Sequence, residues 1–148
     1  MFRQKLNSAR RLSLADWGLL LRAWIWLLLV DLGLRVFSFA RFQRLFVGPS
    51  VIKSAYDTLA TKAVIQRTWR LVDIASRYHL YKMSYLRRSL VLQRLLSRQG
   101  LKTELRFGVT KEDGILQAHA WLEFEGLPVG EPETLTERYT TLLMRDQA

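Results

Sequence analysis

The sequence predicts an α+β protein: helices at the N-terminus, a buried central helix, then an antiparallel β-meander. Three observations carry this. Apolar residues recur at spacings of three and four through the first hundred positions. Past Gly100 the apolar period becomes two. The alternating stretch is punctuated by the turn signals "KEDG" and "EG".

The chain opens "MFRQKLNSARRLSLADWGLLLRAWIWLLLVDLGLRVF". A basic start before an apolar run invites a signal-peptide reading, but no small-residue cleavage site follows, and Asp31, Arg35, Arg41 and Arg44 come next. A membrane span over residues 17–36 is the second alternative. The uninterrupted apolar run covers only Ala23–Val30, and a longer window takes in Arg22 or Asp31. Each of those costs roughly 2.5–3.5 kcal/mol near a bilayer centre. The preferred reading is a helix that is buried or lies at an interface, with Ser13 as its cap and Asp16 at its positive end. The Gly-Pro pair in "FVGPS" (Phe46–Ser50) ends it, dividing a Leu/Trp/Arg-rich segment, 1–48, from a domain over 51–148.

Ser54–Tyr81 is expected to be helical, on the spacing of Val64, Trp69, Leu71, Val72, Ala75 and Tyr78. A further helix is expected from about Ser84 to Gln99, stopping at Gly100. Its leucines and Val91 cover most of the circumference, so it belongs in the interior, with Arg87, Arg94 and Arg98 marking a narrow wet face. In "LKTELRFGV" Leu101, Thr103, Leu105, Phe107 and Val109 share one strand face. In the next strand Leu116, Ala118, Ala120, Leu122 and Phe124 form the apolar face, while Gln117, His119, Trp121 and Glu123 take the other. The "EG" turn leads into Leu127–Gly130.

Composition excludes several chemistries. The chain has 148 residues and no cysteine, so it has no disulfide, no thiol nucleophile and no cysteine-ligated metal. With only two histidines, His79 and His119, neither a zinc site nor another cofactor is expected, and His79 near a helix end reads as structural. The net charge of +10 is uneven: residues 1–50 carry 8 basic and 2 acidic side chains, residues 51–100 carry 10 and 2, and residues 101–148 carry 5 and 9. That reversal argues against a nucleic-acid partner, and arginines on Leu/Trp-rich helical stretches suit a lipid surface or an acidic peptide at least as well as a phosphodiester backbone.

The candidate site follows from the element order. A residue at the start of a buried helix sits at the positive dipole end, His119 on a later strand can serve as base, and Glu131 follows the next turn and can orient the imidazole. The segment "ASRYHLYKMSYLRRSLVLQRLLSRQGLKTELRFGVTKEDGILQAHAWLEFEG", Ala75–Gly126, resembles the transglutaminase-like cysteine peptidase domain of lasso-peptide (microcin) maturation proteins, through "LRRSLVLQRLLSRQG", "ELRFGV" and "AHAWLE" in order. The resemblance implies a transglutaminase-like, papain-like core that removes the leader from a ribosomal precursor peptide before a macrolactam synthetase closes the ring. It implies a separate leader-recognition protein as partner, and a cytoplasmic location, with the N-terminal helix available for a membrane surface. It carries His119 over as the base and Glu131 as the acid, usually Asp in the family. The family cysteine opens a "C-L-x-x-[SA]-L" helix, and the matching stretch here is "YLRRSL", so Tyr85 stands in the nucleophile's place.

A phenol is a poor acyl carrier. Ser84 is a neighbouring hydroxyl that could replace the thiol, but a helix cap accounts for it better, because one residue turns the side chain by about 100°. Ser89 reads as a small packing residue. Two functions are therefore expected from the resemblance: a leader-processing protein by descent with a degenerate site, or a non-catalytic precursor-binding or scaffold component. A membrane-surface protein is the third expectation.

Overall fold

The computed structural model describes residues 12–48, 58–132 and 134–142. Among them the order is α1 (Leu14–Val36), α2 (Phe39–Val47), α3 (Thr58–Arg77), α4 (Tyr85–Arg98), β1 (Glu104–Glu112), β2 (Ile115–Phe124), β3 (Leu127–Pro128), α5 (Leu135–Arg138) and β4 (Thr140–Leu142). The strands form one antiparallel sheet in the order β3-β2-β1-β4. The α+β expectation therefore holds.

Helix α1 starts at a closed capping box: the Asp16 amide donates to Ser13 Oγ at 3.1 Å and the Ser13 amide donates to Asp16 Oδ2 at 2.9 Å. Asp16 also accepts from Arg67 Nε at 2.6 Å, which ties this helix end to α3. Ala23, Leu27 and Val30 on the inner side of α1 are wholly buried with Leu90 and Leu96 of α4 and Leu122 of β2, so both sides of the Gly-Pro break feed one core. Each of the leucines and the valine contributes roughly 1.5–3 kcal/mol by leaving water. The outer side of α1, with Leu21, Ile25, Leu32 and Val36, stays exposed. No helix among the described residues is long and apolar enough to cross a membrane, which removes the span over residues 17–36. Pro49 and Ser50 of the expected linker, and residues 54–57 of the expected helix, lie outside the described residues.

Helix α4 is the interior element, with Leu90, Val91, Leu92, Leu95 and Leu96 buried. Its expected wet face needs correction. Arg87 Nη2 meets Asp31 Oδ1 of α1 at 2.8 Å, and Arg94 donates to the Phe46 carbonyl while its guanidinium lies 5.0 Å from the centre of the Trp26 ring. Helices α1 and α2 lie over this arc, and among the three arginines only Arg98 stays open.

The strands depart from expectation in their lengths. β1 begins at Glu104, because Leu101 and Thr103 are buried as irregular chain beneath α4, where the Gln93 amide donates to the Thr103 carbonyl at 3.2 Å. β3 holds only Leu127–Pro128. Both hairpins turn through two residues at positive φ, Asp113 (50°) with Gly114 (80°) and Glu125 (52°) with Gly126 (80°), as the twist of antiparallel strands favours. The two faces of β2 are not simply inner and outer: Ala120, Trp121, Leu122 and Glu123 are all buried, whereas Ile115 through Ala118 are all exposed. α5 and β4 lie beyond any expectation from the sequence.

Candidate functional site

The site forms where the start of α4 meets the middle of β2. Ser84 caps α4 with extended backbone (φ −72°, ψ 159°), and its Oγ accepts from the Arg87 amide at 3.5 Å. This sets Tyr85 as the first helical residue. Two carboxylates hold the same turn. Asp31 takes Arg87 and Arg35 at 2.8 and 3.1 Å, and Asp73 of α3 takes Arg88 and Arg77 at 2.6 and 2.7 Å. Both aspartates are buried. Cations in a first turn oppose the helix dipole, and the buried carboxylates offset that while fixing the turn from two sides.

His119 projects from β2 with a side chain 9% exposed, and its Nε2 lies 3.4 Å from Glu131 Oε1. The contact lacks hydrogen-bond geometry, so Nε2 is a buried atom without an acceptor among the described residues. Catalytic hydrogen bonds are often long before a ligand enters. With the carboxylate at Nε2, Nδ1 is the nitrogen left to exchange a proton with a ligand. The Tyr85 ring meets the imidazole edge-on, 4.4 Å between centroids at 71°. Tyr85, His119 and Glu131 are thus brought together, with Tyr85 still 53% exposed and covering the histidine from the solvent side.

Residues that the sequence did not single out complete the pocket. Tyr139 lies 5.4 Å from His119 and Trp121 stacks at 6.0 Å, centre to centre. Trp121 Nε1 donates to Glu123 Oε1 at 3.0 Å, and Arg106 Nε donates to Glu123 Oε2 at 3.0 Å, so the buried carboxylate is satisfied from both sides. Gly108 stands opposite His119 in the β1–β2 register. A Cβ there would lie 2.8 Å from the Trp121 ring and 2.8 Å from Tyr139 Cβ, so glycine alone lets these rings close over the strand. A local signal existed: a glycine inside an alternating strand marks a close approach.

The cleft in front of His119 measures about 360 Å³ and is lined by Tyr85, Gln117, Ala118, Glu131, Leu135 and Tyr139 among others. Ser84 is committed as a cap, and the buried Ser89 donates to the Ala120 carbonyl at 3.4 Å, so neither is poised as a nucleophile. His79 packs against Trp24 at 4.9 Å and accepts from the Tyr81 amide, a structural placement. Among the described residues no cluster of His, Asp or Glu could hold a metal ion.

A helix start facing a histidine on an antiparallel strand, with a carboxylate behind the histidine, is the layout of a nucleophile–base–acid hydrolase or acyl-transferase core. The family model described as transglutaminase-like superfamily matches residues 26–144, from within α1 to just past β4. The chain belongs to that superfamily. No curated protein and no solved structure matches it.

Proposed function

We propose that this protein is a member of the lasso-peptide leader-processing branch of the superfamily that holds a ribosomal precursor peptide without cleaving it. The branch assignment rests on the ordered segments within Ala75–Gly126. One observation supports the loss of cleavage: the Tyr85 ring, at the position that the resemblance gives to the nucleophile, lies 4.4 Å from His119, in a chain without cysteine. The reading is supported further by Glu131, 3.4 Å from His119 Nε2, and by the cleft in front of the histidine. Such a site can bind an extended peptide and present it to partners, here a leader-recognition protein and a macrolactam synthetase. It lacks the thiolate that would attack the carbonyl.

The test is co-expression with a lasso precursor, the synthetase and a leader-recognition protein, read by mass spectrometry of the peptide and by co-purification. The expected result is an intact leader and a stable complex with the precursor. Leader removal that disappears in Ser84→Ala and persists in Tyr85→Phe would transfer the nucleophile's role to Ser84 and overturn the reading. Absence of the precursor from the complex would overturn it equally.

A further inference from the structure

Among the described residues, the first part of β2 leaves one sheet edge without a partner strand. β2 pairs with β1 from Ile115 to Glu123, but with β3 only at Glu123 and Phe124. The hairpin pairs Glu112 with Ile115 around a two-residue turn, so the hydrogen-bonded positions alternate from there. Ile115, Gln117, His119, Trp121 and Glu123 turn their backbone groups to β1, and Leu116, Ala118, Ala120 and Leu122 turn theirs to the other side. Two contacts agree with this phase: the Leu122 carbonyl accepts from the Val129 amide at 2.8 Å, and the Ala120 carbonyl accepts from Ser89 Oγ at 3.4 Å. Among the described residues no backbone bond reaches Leu116 or Ala118 from that side.

This edge is short, but it carries no charge, proline or bulge that would block pairing. Ile115 and Leu116 are exposed apolar residues. It runs directly into the cleft, since Gln117 and Ala118 line the same cavity as Tyr85 and His119. We infer that the open edge of β2 at Leu116 and Ala118 takes an extended peptide as an added strand, which delivers that peptide's backbone to the His119–Tyr85 pocket. This rests on the peptide-holding reading above and adds how the peptide is held. Main-chain bonds would supply affinity with little dependence on sequence, and the cleft would select side chains at alternate positions.

A second copy is the competing occupant, and area argues against it. Specific dimers bury about 1,200–2,000 Å² in total. Four exposed residues paired edge to edge fall well short of that, whereas a peptide gains the walls of the cleft as well.

The probe is a fluorescein-labelled eight-residue peptide of alternating Thr and Val, with its fully N-methylated counterpart as control. Amide exchange on the free protein comes first: Ala118 should exchange much faster than Gln117 and His119, which face β1. Equal protection would mean that the edge is already covered, and would overturn the proposal. Added peptide at up to 1 mM should then slow exchange at Leu116 and Ala118, and the N-methylated peptide should not. Ala118→Pro removes an outward amide without breaking the β1 ladder. It should weaken peptide binding about tenfold or more, the equivalent of one well-formed hydrogen bond. Binding that survives in Ala118→Pro, protection elsewhere, or no protection at 1 mM would overturn the proposal. So would a dimer in sedimentation that this substitution dissociates, because the second copy would then be the occupant. If a lasso precursor is held but the Thr/Val peptide is not, the edge proposal falls alone. If the peptide is held and the precursor is not, the functional reading falls alone.

Discussion

Arg87 of α4 reaches Asp31 of α1 at 2.8 Å, although the two stand far apart in sequence. Asp31 is buried and Arg87 about a quarter exposed, so the pair is largely withdrawn from water. It joins the N-terminal helix to the turn that begins with Tyr85. Asp73 repeats the arrangement from α3 through Arg88, whose guanidinium also lies 5.5 Å from the centre of the Tyr85 ring. The position of the tyrosine is therefore set by carboxylates on two other helices.

Breaking one clamp should destabilise the fold. Asp31→Ala leaves Arg87 partly buried without its partner, at a cost of about 3 kcal/mol, near the lower end for a severed buried pair. In a chain of this size that lowers Tm by roughly 6–12 °C, readable by calorimetry. A shift within 1–2 °C would show that water replaces Asp31 at little cost.

Acid should loosen the start of α1. The Ser13 hydroxyl and amide, together with Arg67, hold the Asp16 carboxyl below its ordinary value of 3.8. A depressed carboxylate contributes stability that is present above its unfolded pKa and is lost as pH falls through its folded one. Thermal stability should thus decline below about pH 4 more steeply in the native protein than in Asp16→Asn, which lacks this titration. Parallel curves for the two proteins would remove Asp16 as a contributor.

Gly108 offers a third check. Gly108→Ala places a methyl against the Trp121 ring and Tyr139 at 2.8 Å, inside van der Waals contact. Overpacking of this kind costs about 1–3 kcal/mol. The rings over His119 should move with it, so changed tryptophan fluorescence together with a lower Tm is the expected pair. Lost stability with unchanged fluorescence would mean that the strand, not the rings, absorbs the strain.

Where local periodicity governs, the sequence could be read directly. The leucines of α4 announce an interior helix, and both hairpins follow from Asp113–Gly114 and Glu125–Gly126. The Tyr85, His119 and Glu131 grouping was legible through the family resemblance, which assigns helix start, strand and turn to one site, and the structure brings these three residues together. Periodicity does not report what lies across a face. Arg87 and Arg94 mark a polar arc in one dimension, and in the fold that arc is covered by Asp31 and by a backbone carbonyl of α2, which no side-chain pattern encodes. Tyr139 and β4 were illegible for another reason. The run Tyr139–Leu142 has no alternation of its own, and it becomes a strand by pairing with Phe107–Val109.

The last prediction concerns restored chemistry. Tyr85 is more than half exposed at the first position of α4, so Tyr85→Cys should change stability by no more than about 0.5 kcal/mol. The new thiol would stand at a helix N-terminus beside Arg88 and facing His119, surroundings that favour a thiolate. Smaller than the phenol, it would also open the solvent side of the imidazole. On the proposed function, the unmodified protein should leave a lasso precursor uncut, and Tyr85→Cys should remove the leader when the proposed partner proteins are present. Adding His119→Ala to Tyr85→Cys should lower that rate by about 10²–10⁴-fold, the usual worth of a positioned base. Adding Glu131→Gln should lower it to a smaller extent, because the glutamate acts through the imidazole. Alkylation by iodoacetamide provides a readout independent of any peptide: the Tyr85→Cys thiol should react faster at pH 7 than the same thiol in the His119→Ala background. Equal alkylation rates in the two backgrounds would show that His119 does not reach position 85, and the assignment of these residues to one site would fail.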